Sequence, residues 1–195
     1  MKKMVLALTL AALALSGTAS AQYYLDNIGM YFDEGATITC DARPFGFYNA
    51  FVVLTNLTSP SIGGWEAKIT MVGGGQITAV TPRPADGHIN AATRQYEYII
   101  GLGEPMFAVG GRCVIADVTL VVADPSVPTY GFIGPVYYDS LENGLPAYLD
   151  GQDSGLIKPL LPRIGEVTDP QFIINGDCAV DNEDASFGAV KALFR

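Results

Sequence analysis

Two consecutive stretches near the middle of the chain carry its clearest pattern of apolar and polar positions. Residues 47–56 are almost wholly apolar or β-branched, which is typical of a strand covered on both faces. Residues 64–72 instead place apolar side chains at every second position: Trp65, Ala67, Ile69 and Met71. Since Pro60 and Gly63 separate the two stretches, we predict neighbouring antiparallel strands with one face on a core.

Six further stretches show β-type sequence: 27–32, 36–39, 76–81, 94–101, 112–122 and 129–138. The clearest of them alternates apolar positions that we expect to face Trp65 and its neighbours: Val114, Ala116, Val118 and Leu120. Between these stretches no amphipathic segment is long enough for the helices of βαβ units. The pattern predicts an all-β fold, an antiparallel Ig-like sandwich of about eight or nine strands.

The character of the chain changes over residues 139–170, where proline, glycine, asparagine and aspartate recur. Such a stretch leaves no room for long regular elements. Its many leucines favour a flap packed on the domain over a disordered linker. We therefore divide the chain into a sandwich core over 22–138, the flap over 139–170, and an acidic turn with a short helix over 171–195.

The N-terminus has the three parts of a secretory signal peptide. Lys2 and Lys3 precede an apolar run over 4–15, and the small residues 19–21 follow it. The run is shorter than the approximately 20 residues that span a bilayer, which argues against an integral membrane protein. We predict a signal peptide over 1–21 and a secreted protein, extracellular or periplasmic.

The charge balance narrows the class of partner. The chain has 11 basic and 20 acidic residues, a net charge of −9, and two of the lysines belong to the signal peptide. An acidic surface repels nucleic acid and anionic lipid, both of which are bound by patches of lysine and arginine. Nucleic acid is therefore excluded as a partner, and an extracellular protein or glycan is expected.

Three cysteines occur in a chain that is sent to an oxidising compartment. At most one intramolecular disulfide can form among them. Cys113 opens a strand, whereas Cys40 and Cys178 stand where turn-like sequence begins, so a Cys40–Cys178 bridge is favoured. The other pairings, or no bridge at all, remain open at this point.

Residues that could perform catalysis are scarce. His88 is the single histidine and lies in a turn context, so neither a zinc cluster nor a nucleophile–histidine pair is indicated. We expect a protein that is not an enzyme. The alternative is a secreted hydrolase that uses acidic residues of 139–170, although nothing in the sequence singles out a pair of them.

Residues 173–184 resemble the calcium loop of a dockerin half-repeat. Four oxygen-bearing side chains match the ligand spacing of such a loop: Asn175, Asp177, Asp181 and Asp184. Ile173 replaces the first ligand and Cys178 replaces the turn glycine. The resemblance implies calcium as the one possible cofactor, at a degenerate site, and no other cofactor is expected.

The last eleven residues resemble the short helix that follows a dockerin loop. Phe187, Val190 and Phe194 form an apolar stripe at helical spacing. A helix this short is not stable by itself in water. The stripe is therefore expected to pack on this domain or to act as a docking helix for a partner.

Three strand-like runs, 51–56, 64–70 and 111–120, are similar in order and pattern to those of cohesin-like and carbohydrate-binding-module-like sandwiches. The resemblance implies a non-catalytic binding or structural module that contacts protein or glycan outside the cell.

Overall fold

The computed structural model describes residues 26–178, and the regular elements among them are all β-strands. They are β1 (Asn27–Tyr31), β2 (Cys40–Asp41), β3 (Gly46–Thr55), β4 (Ser61–Gly73), β5 (Gly75–Pro82), β6 (His88–Asn90), β7 (Glu97–Phe107), β8 (Cys113–Val122), β9 (Thr129–Gly134), β10 (Ala147–Asp150), β11 (Ile157–Pro159), β12 (Leu161–Pro162) and β13 (Phe172–Ile174). The all-β prediction is confirmed. The strands beyond the predicted eight or nine are short ones of two to four residues.

The smaller sheet has five strands in the order β12-β1-β3-β8-β5. β3 lies at its centre and pairs antiparallel with β1 on one edge and with β8 on the other. β12 pairs parallel with β1. The long apolar β3 is thus hydrogen-bonded along both edges, which matches its nearly continuous apolar sequence.

The larger sheet has eight strands built around β4, the longest strand, with 13 residues. One edge of β4 pairs with β7, which in turn pairs with β6. The other edge pairs with β10 over 62–66 and with β9 over 68–73. Three strands, β7, β9 and β10, therefore pair directly with β4, and the other four strands of the sheet pair through these three or beyond them.

The predicted pairing of the two central stretches is wrong. β3 belongs to the smaller sheet and β4 to the larger one, so residues 56–60 carry the chain across the sandwich. A turn rich in proline and glycine can close a hairpin or pass between sheets, and its composition does not distinguish the two. β3 finds its partners at β1 and β8, which lie far from it in sequence.

The core lies between the two sheets. Trp65, Ala67 and Ile69 are buried as predicted, and Met71 packs at the edge of the core. In β8 the prediction holds for Ala116, Val118 and Leu120 but is wrong for Val114, which is partly exposed. A bulge causes the difference: Val52 pairs with Ala116 and Val53 with Val114, so that Ile115 takes the core position.

Residues 139–170 contain β10, β11 and β12. β10 and β11 extend the larger sheet beyond β4, and β12 joins the smaller sheet. Leu160, between β11 and β12, is completely buried. This segment therefore bridges the two sheets at one side of the sandwich.

A disulfide joins Cys40 to Cys178 across the edge of the larger sheet, where β2 and β13 pair in parallel, with a Cα–Cα distance of 5.7 Å. This is the pair that the sequence favoured. Cys113 is free and buried, and burial raises the pKa of its thiol to about 11. The free thiol is thus a core residue and not a reactive one.

Two predicted segments, the signal peptide over 1–21 and the helix over 185–195, lie outside the described residues. Over residues 26–178, no helix is long and apolar enough to cross a membrane.

Candidate functional site

The outer face of the larger sheet carries a row of residues that crosses five strands. Successive backbone partners in this row are Ile157, Leu149, Gly64, Gly101 and Ile89, from β11, β10, β4, β7 and β6. The neighbours of these residues on the strands, such as Tyr148 and Ile100, point into the core. The row itself therefore faces outwards.

Two glycines at the centre of this row make the face concave. Gly64 and Gly101 are backbone partners and carry no side chain. Leu149 and Ile89 flank them and stand about 14 Å apart, because three strand spacings of about 4.8 Å separate them. The result is a groove with a glycine floor and aliphatic walls.

The groove encloses a cavity of about 320 Å³. Its aliphatic walls remain accessible to solvent: Ile89 is 75% exposed and Ile157 is 37% exposed. Ile99, Ala147 and the Glu66–Ser140 pair complete the lining next to the glycine row. We call this surface the outer-face groove.

Two buried glutamates fix a loop at one end of the groove. The carboxylate of Glu66 accepts the backbone N–H of Ser140 at 2.8 Å and the hydroxyl of Ser140 at 2.7 Å. Glu97 accepts the backbone N–H of Tyr137 at 3.2 Å. Both acids are less than one-tenth exposed and project from the outer face of β4 and β7. Both carboxylates hold the loop, since Glu66 accepts through both of its oxygens and Glu97 through one.

The fixed loop presents two aromatic rings to solvent. Tyr137 is 59% exposed and Tyr138 is 79% exposed, and their rings meet edge to face at 4.6 Å. The guanidinium of Arg94 lies 3.5 Å from the centre of the Tyr137 ring. The loop, whose Ser140 lines the groove, therefore also carries a preorganised pair of exposed aromatic rings.

The opposite wall is held by a polar cluster beneath the β10–β11 hairpin. Lys158 Nζ donates to the hydroxyl of Ser59 at 2.6 Å, and that hydroxyl donates in turn to Asp150. The hydroxyl of Tyr148 donates to the same Ser59 oxygen at 3.0 Å. Bonds from Ser59 and the amide of Gln152 hold the pKa of Asp150 below its usual value. Because Ser59 is only 2% exposed, the cluster acts as a clamp and not as a nucleophile.

The aspartates of residues 139–170 are engaged in turns. Asp139 accepts the amide of Gly144, Asp153 that of Gly155, and Asp169 that of Glu166. This is the local side-chain-to-backbone bonding typical of such turns. No observation therefore favours these acids as the acid–base pair of a hydrolase.

The predicted calcium ligands are only partly described. The side chain of Asn175 is occupied, because its oxygen accepts the N–H of Arg43 at 2.7 Å and its nitrogen donates to the Arg43 carbonyl at 2.8 Å. Asp177 is exposed. Asp181 and Asp184 lie outside the described residues, as do Phe187, Val190 and Phe194. Among residues 26–178, no group of three or more His, Cys, Asp and Glu is placed to hold a metal ion.

Sequence reasoning missed the outer-face groove. Alternation in residues 64–72 predicts the inward positions of β4 and assigns no role to the glycines that face outwards. A glycine inside a strand marks a place where backbone or ligand approaches closely. Gly64 and Gly101 were therefore the available signal, although their pairing became visible only in the structure.

Comparison of the sequence with protein families gives no match, and none of the curated proteins matches it. Among solved structures, the chain is similar to the sixth cohesin of scaffoldin B from Acetivibrio cellulolyticus, which was solved with a Cel5 dockerin mutant. The two are 10% identical, with 78% of this chain and 99% of that chain covered and a TM-score of 0.45.

The chain is also similar to the seventh ScaB type I cohesin of Pseudobacteroides cellulosolvens, at 9% identity and a TM-score of 0.41, with 80% of this chain and 96% of that chain covered. A type I cohesin–dockerin complex from Clostridium thermocellum gives 11% identity and a TM-score of 0.40, with 76% and 95% covered. These similarities concern the arrangement of strands in chains that share little sequence.

Proposed function

We propose that this protein is an exported, non-catalytic binding module that holds an amphipathic helix of a partner protein in the outer-face groove. The observation that carries the proposal is the paired glycine floor of Gly64 and Gly101 between exposed aliphatic walls. An apolar surface of this kind, rimmed by polar residues, is typical of interaction sites.

The dimensions of the groove favour a helix as the occupant. The walls at Leu149 and Ile89 stand about 14 Å apart. An α-helix with its side chains is about 10 to 12 Å wide, so that it fits lengthwise between them. A helix bound in this way places residues at i, i+3, i+4 and i+7 against the glycine floor.

Charge indicates the chemistry of the exposed face of that helix. The chain has 20 acidic residues against 11 basic ones. A partner whose polar face carries lysine and arginine is steered towards this surface, whereas an acidic partner is repelled. The expected partner therefore presents an apolar stripe flanked by basic residues.

Two features support placement outside the cytoplasm as part of the proposal. The N-terminal sequence has the pattern of a signal peptide, and Cys40 is bonded to Cys178, a bridge typical of oxidising compartments. The apolar stripe of Phe187, Val190 and Phe194 is retained as a second docking element.

The test is a titration of the full mature chain with synthetic helical peptides of about 18 residues. One peptide has a leucine stripe and a lysine face, a second replaces the lysines by glutamate, and a third replaces the leucines by serine. Fluorescence anisotropy should show binding of the leucine–lysine peptide alone. Equal binding of the leucine–lysine and serine–lysine peptides would mean charge attraction without a groove, and would refute the proposal.

Gly101→Val supplies the matched variant. A Cβ at Gly101 meets no atom within 4 Å, so that valine fills the groove without disturbing the sheet. Binding of the leucine–lysine peptide should weaken by about tenfold or more. The control is Ala79→Val on β5, which places the same side chain on an exposed strand of the smaller sheet. Equal affinity of the two variants would contradict the proposal.

A variant that lacks residues 179–195 tests whether the C-terminal tail of this chain itself occupies the groove. If the tail of this chain fills the groove, its deletion should increase the affinity for the leucine–lysine peptide strongly, and the partner reading of the groove would then be wrong. Unchanged affinity supports a separate partner.

A further inference from the structure

We propose that the outer face of the smaller sheet holds a second binding site, which recognises a small hydroxylated carboxylate such as a hexuronate sugar unit. The site is distinct from the outer-face groove and does not rest on the proposed function. It is a polar cavity of about 480 Å³, within the range of small-molecule pockets. We call it the arginine pocket.

Two arginines from distant parts of the chain line the arginine pocket. Arg112 precedes β8 and Arg163 follows β12. Arg112 donates to the carbonyl oxygen of Gly35 at 2.6 Å, and Arg163 donates to the hydroxyl of Thr39 at 3.0 Å. Each of these bonds orients its guanidinium and involves only one of the two terminal nitrogens.

Neither guanidinium has a carboxylate partner within residues 26–178. The ion pairs there are made by Arg43, Arg83 and Lys158. The Nε atom of Arg163 is buried and has no hydrogen-bond acceptor. The chain has a net charge of −9, yet this cavity contains two arginines and no acid. Such a cavity favours the binding of an anion.

The remaining polar lining is neutral. It includes amides and hydroxyls from β1, from the loop after β1, and from the end of β3 and the residue after it: Asn27, Thr37, Thr55 and Asn56. Asn56 Nδ2 donates to Asn27 Oδ1 at 3.0 Å, which orients both amides. Amide and hydroxyl groups can both donate to and accept from a ligand hydroxyl, and guanidinium binds a carboxylate through two N–H groups. The combination selects an anion that also carries hydroxyl groups.

Tyr31 gives the pocket a ring at its base. It lies across Gly29 on the outer face of β1, is 1% exposed, and has the Arg163 guanidinium 5.8 Å from its ring centre. Burial raises the pKa of its phenol, and the positive charge of Arg163 opposes that shift. Tyr31 is therefore a neutral hydroxyl in the physiological range.

The backbone around the pocket has unusual conformations at two non-glycine residues. Ala36 has φ of 58° and Asn56 has φ of 54°, both in the left-handed region. Strained residues of this kind cluster at ligand sites. The neighbouring acid, Asp33, does not compete for the arginines, because its carboxylate accepts the N–H and hydroxyl of Thr37 and the N–H of Ile38.

The test is calorimetric titration of the full mature chain with glucuronate and galacturonate, with glucose and galactose as neutral counterparts of the same shape. Inorganic phosphate and sulfate form the third arm. We expect the uronates to bind and the neutral sugars not to bind. Phosphate and sulfate should bind at least about tenfold more weakly than the uronates, because they cannot use the neutral groups.

The variants are Arg112→Gln and the control Arg94→Gln, which removes the arginine that stacks on Tyr137 beside the other sheet. Arg112→Gln should weaken uronate binding by about tenfold or more, with thermal unfolding showing that the fold is retained. Arg94→Gln should leave it unchanged. Absence of uronate binding, equal binding of phosphate, or equal loss in both variants would overturn the proposal.

Discussion

The two outer faces of the sandwich cover the same core but differ in nearly every chemical respect. The face of the larger sheet is a groove with a floor of Gly64 and Gly101 and aliphatic walls. Its buried acids, Glu66 and Glu97, are consumed in holding a loop. The face of the smaller sheet carries a polar pocket with Arg112 and Arg163, whose charges find no acid within residues 26–178.

This difference shows where the function of such a domain resides. The inward positions of both sheets obey one constraint, burial against each other, and could be exchanged for other apolar residues at modest cost. The outward positions are free of that constraint, so that they can diverge into two sites of opposite polarity. Substitutions in the core that preserve the fold should therefore change binding at both faces, whereas substitutions of residues that line one site should change binding at that site alone.

The largest effect is expected from Trp65→Ala, which removes a core side chain that is only 3% exposed and that stacks on Tyr98 at 6.0 Å. The free energy of unfolding should fall by about 3 to 5 kcal/mol, because a large cavity is created. Urea denaturation measures this loss, with unfolding monitored by far-UV circular dichroism because Trp65 is the single tryptophan of the chain. A loss below about 1 kcal/mol would mean that Trp65 is not packed in the core between the two sheets.

The second effect separates the two floor glycines. A Cβ on Gly64 would lie 2.5 Å from the carbonyl oxygen of Ile100, whereas one on Gly101 meets nothing within 4 Å. Gly64→Ala should therefore destabilise the protein by about 1 to 3 kcal/mol through overpacking. Gly101→Ala should be neutral or slightly stabilising. Thermal unfolding of the two variants side by side tests this, and equal melting temperatures would contradict the geometry of the floor.

Most of the core-facing positions of the strands considered could be predicted from the sequence. Alternation in β4 located Trp65, Ala67 and Ile69 in the core, and all of them are buried. The same rule was wrong for Val114, because a bulge at Ile115 shifts the phase within β8. Residues 113–116, around the bulge, are all apolar, so that the pattern alone could not place it.

The pairing of strands and the sites were beyond the sequence for a different reason. β3 and β4 are adjacent in the chain but pair in different sheets, and partner choice depends on contacts between distant residues. The groove row and the arginine pocket are each assembled from four or more separate segments. Single residues such as Gly101 or Arg163 acquire their meaning only when the fold brings those segments together.

A smaller effect is expected from Glu66→Gln at the end of the groove. The amide keeps an acceptor for the N–H of Ser140 but loses the charge that strengthens the two bonds. Stability should fall by about 0.5 to 1.5 kcal/mol. Hydrogen exchange should become faster at the Ser140 amide and stay unchanged at Ile38 N–H, which Asp33 holds on the other face. An equal change in exchange rate at both amides, relative to the parent protein, would contradict the role of Glu66 in holding the loop.

The smallest effect concerns pH and the clamp beneath the groove wall. The pKa of Asp150 is held low in the folded protein, chiefly by the Ser59 hydroxyl. Its stabilising contribution is therefore complete above the unfolded value of about 4 and is lost as pH falls through the folded value. In Asp150→Asn, the free energy of unfolding should therefore fall less steeply as the pH is lowered. Urea denaturation at a series of pH values from 7 into the acid range measures this. Parallel profiles of unfolding free energy against pH in the variant and the parent would show that Asp150 does not contribute to the loss of stability in acid.

A methyl NMR titration of isoleucine-labelled protein with the leucine–lysine peptide shows directly whether the outer-face groove is the binding surface. The δ1-methyl signals of Ile89, Ile99 and Ile157 should shift together with one dissociation constant, because all three line the groove. Those of Ile38 and Ile164, which are exposed elsewhere, should not. Shifts spread equally over both sets, or confined to Ile38 and Ile164, would mean that the peptide does not bind in the outer-face groove.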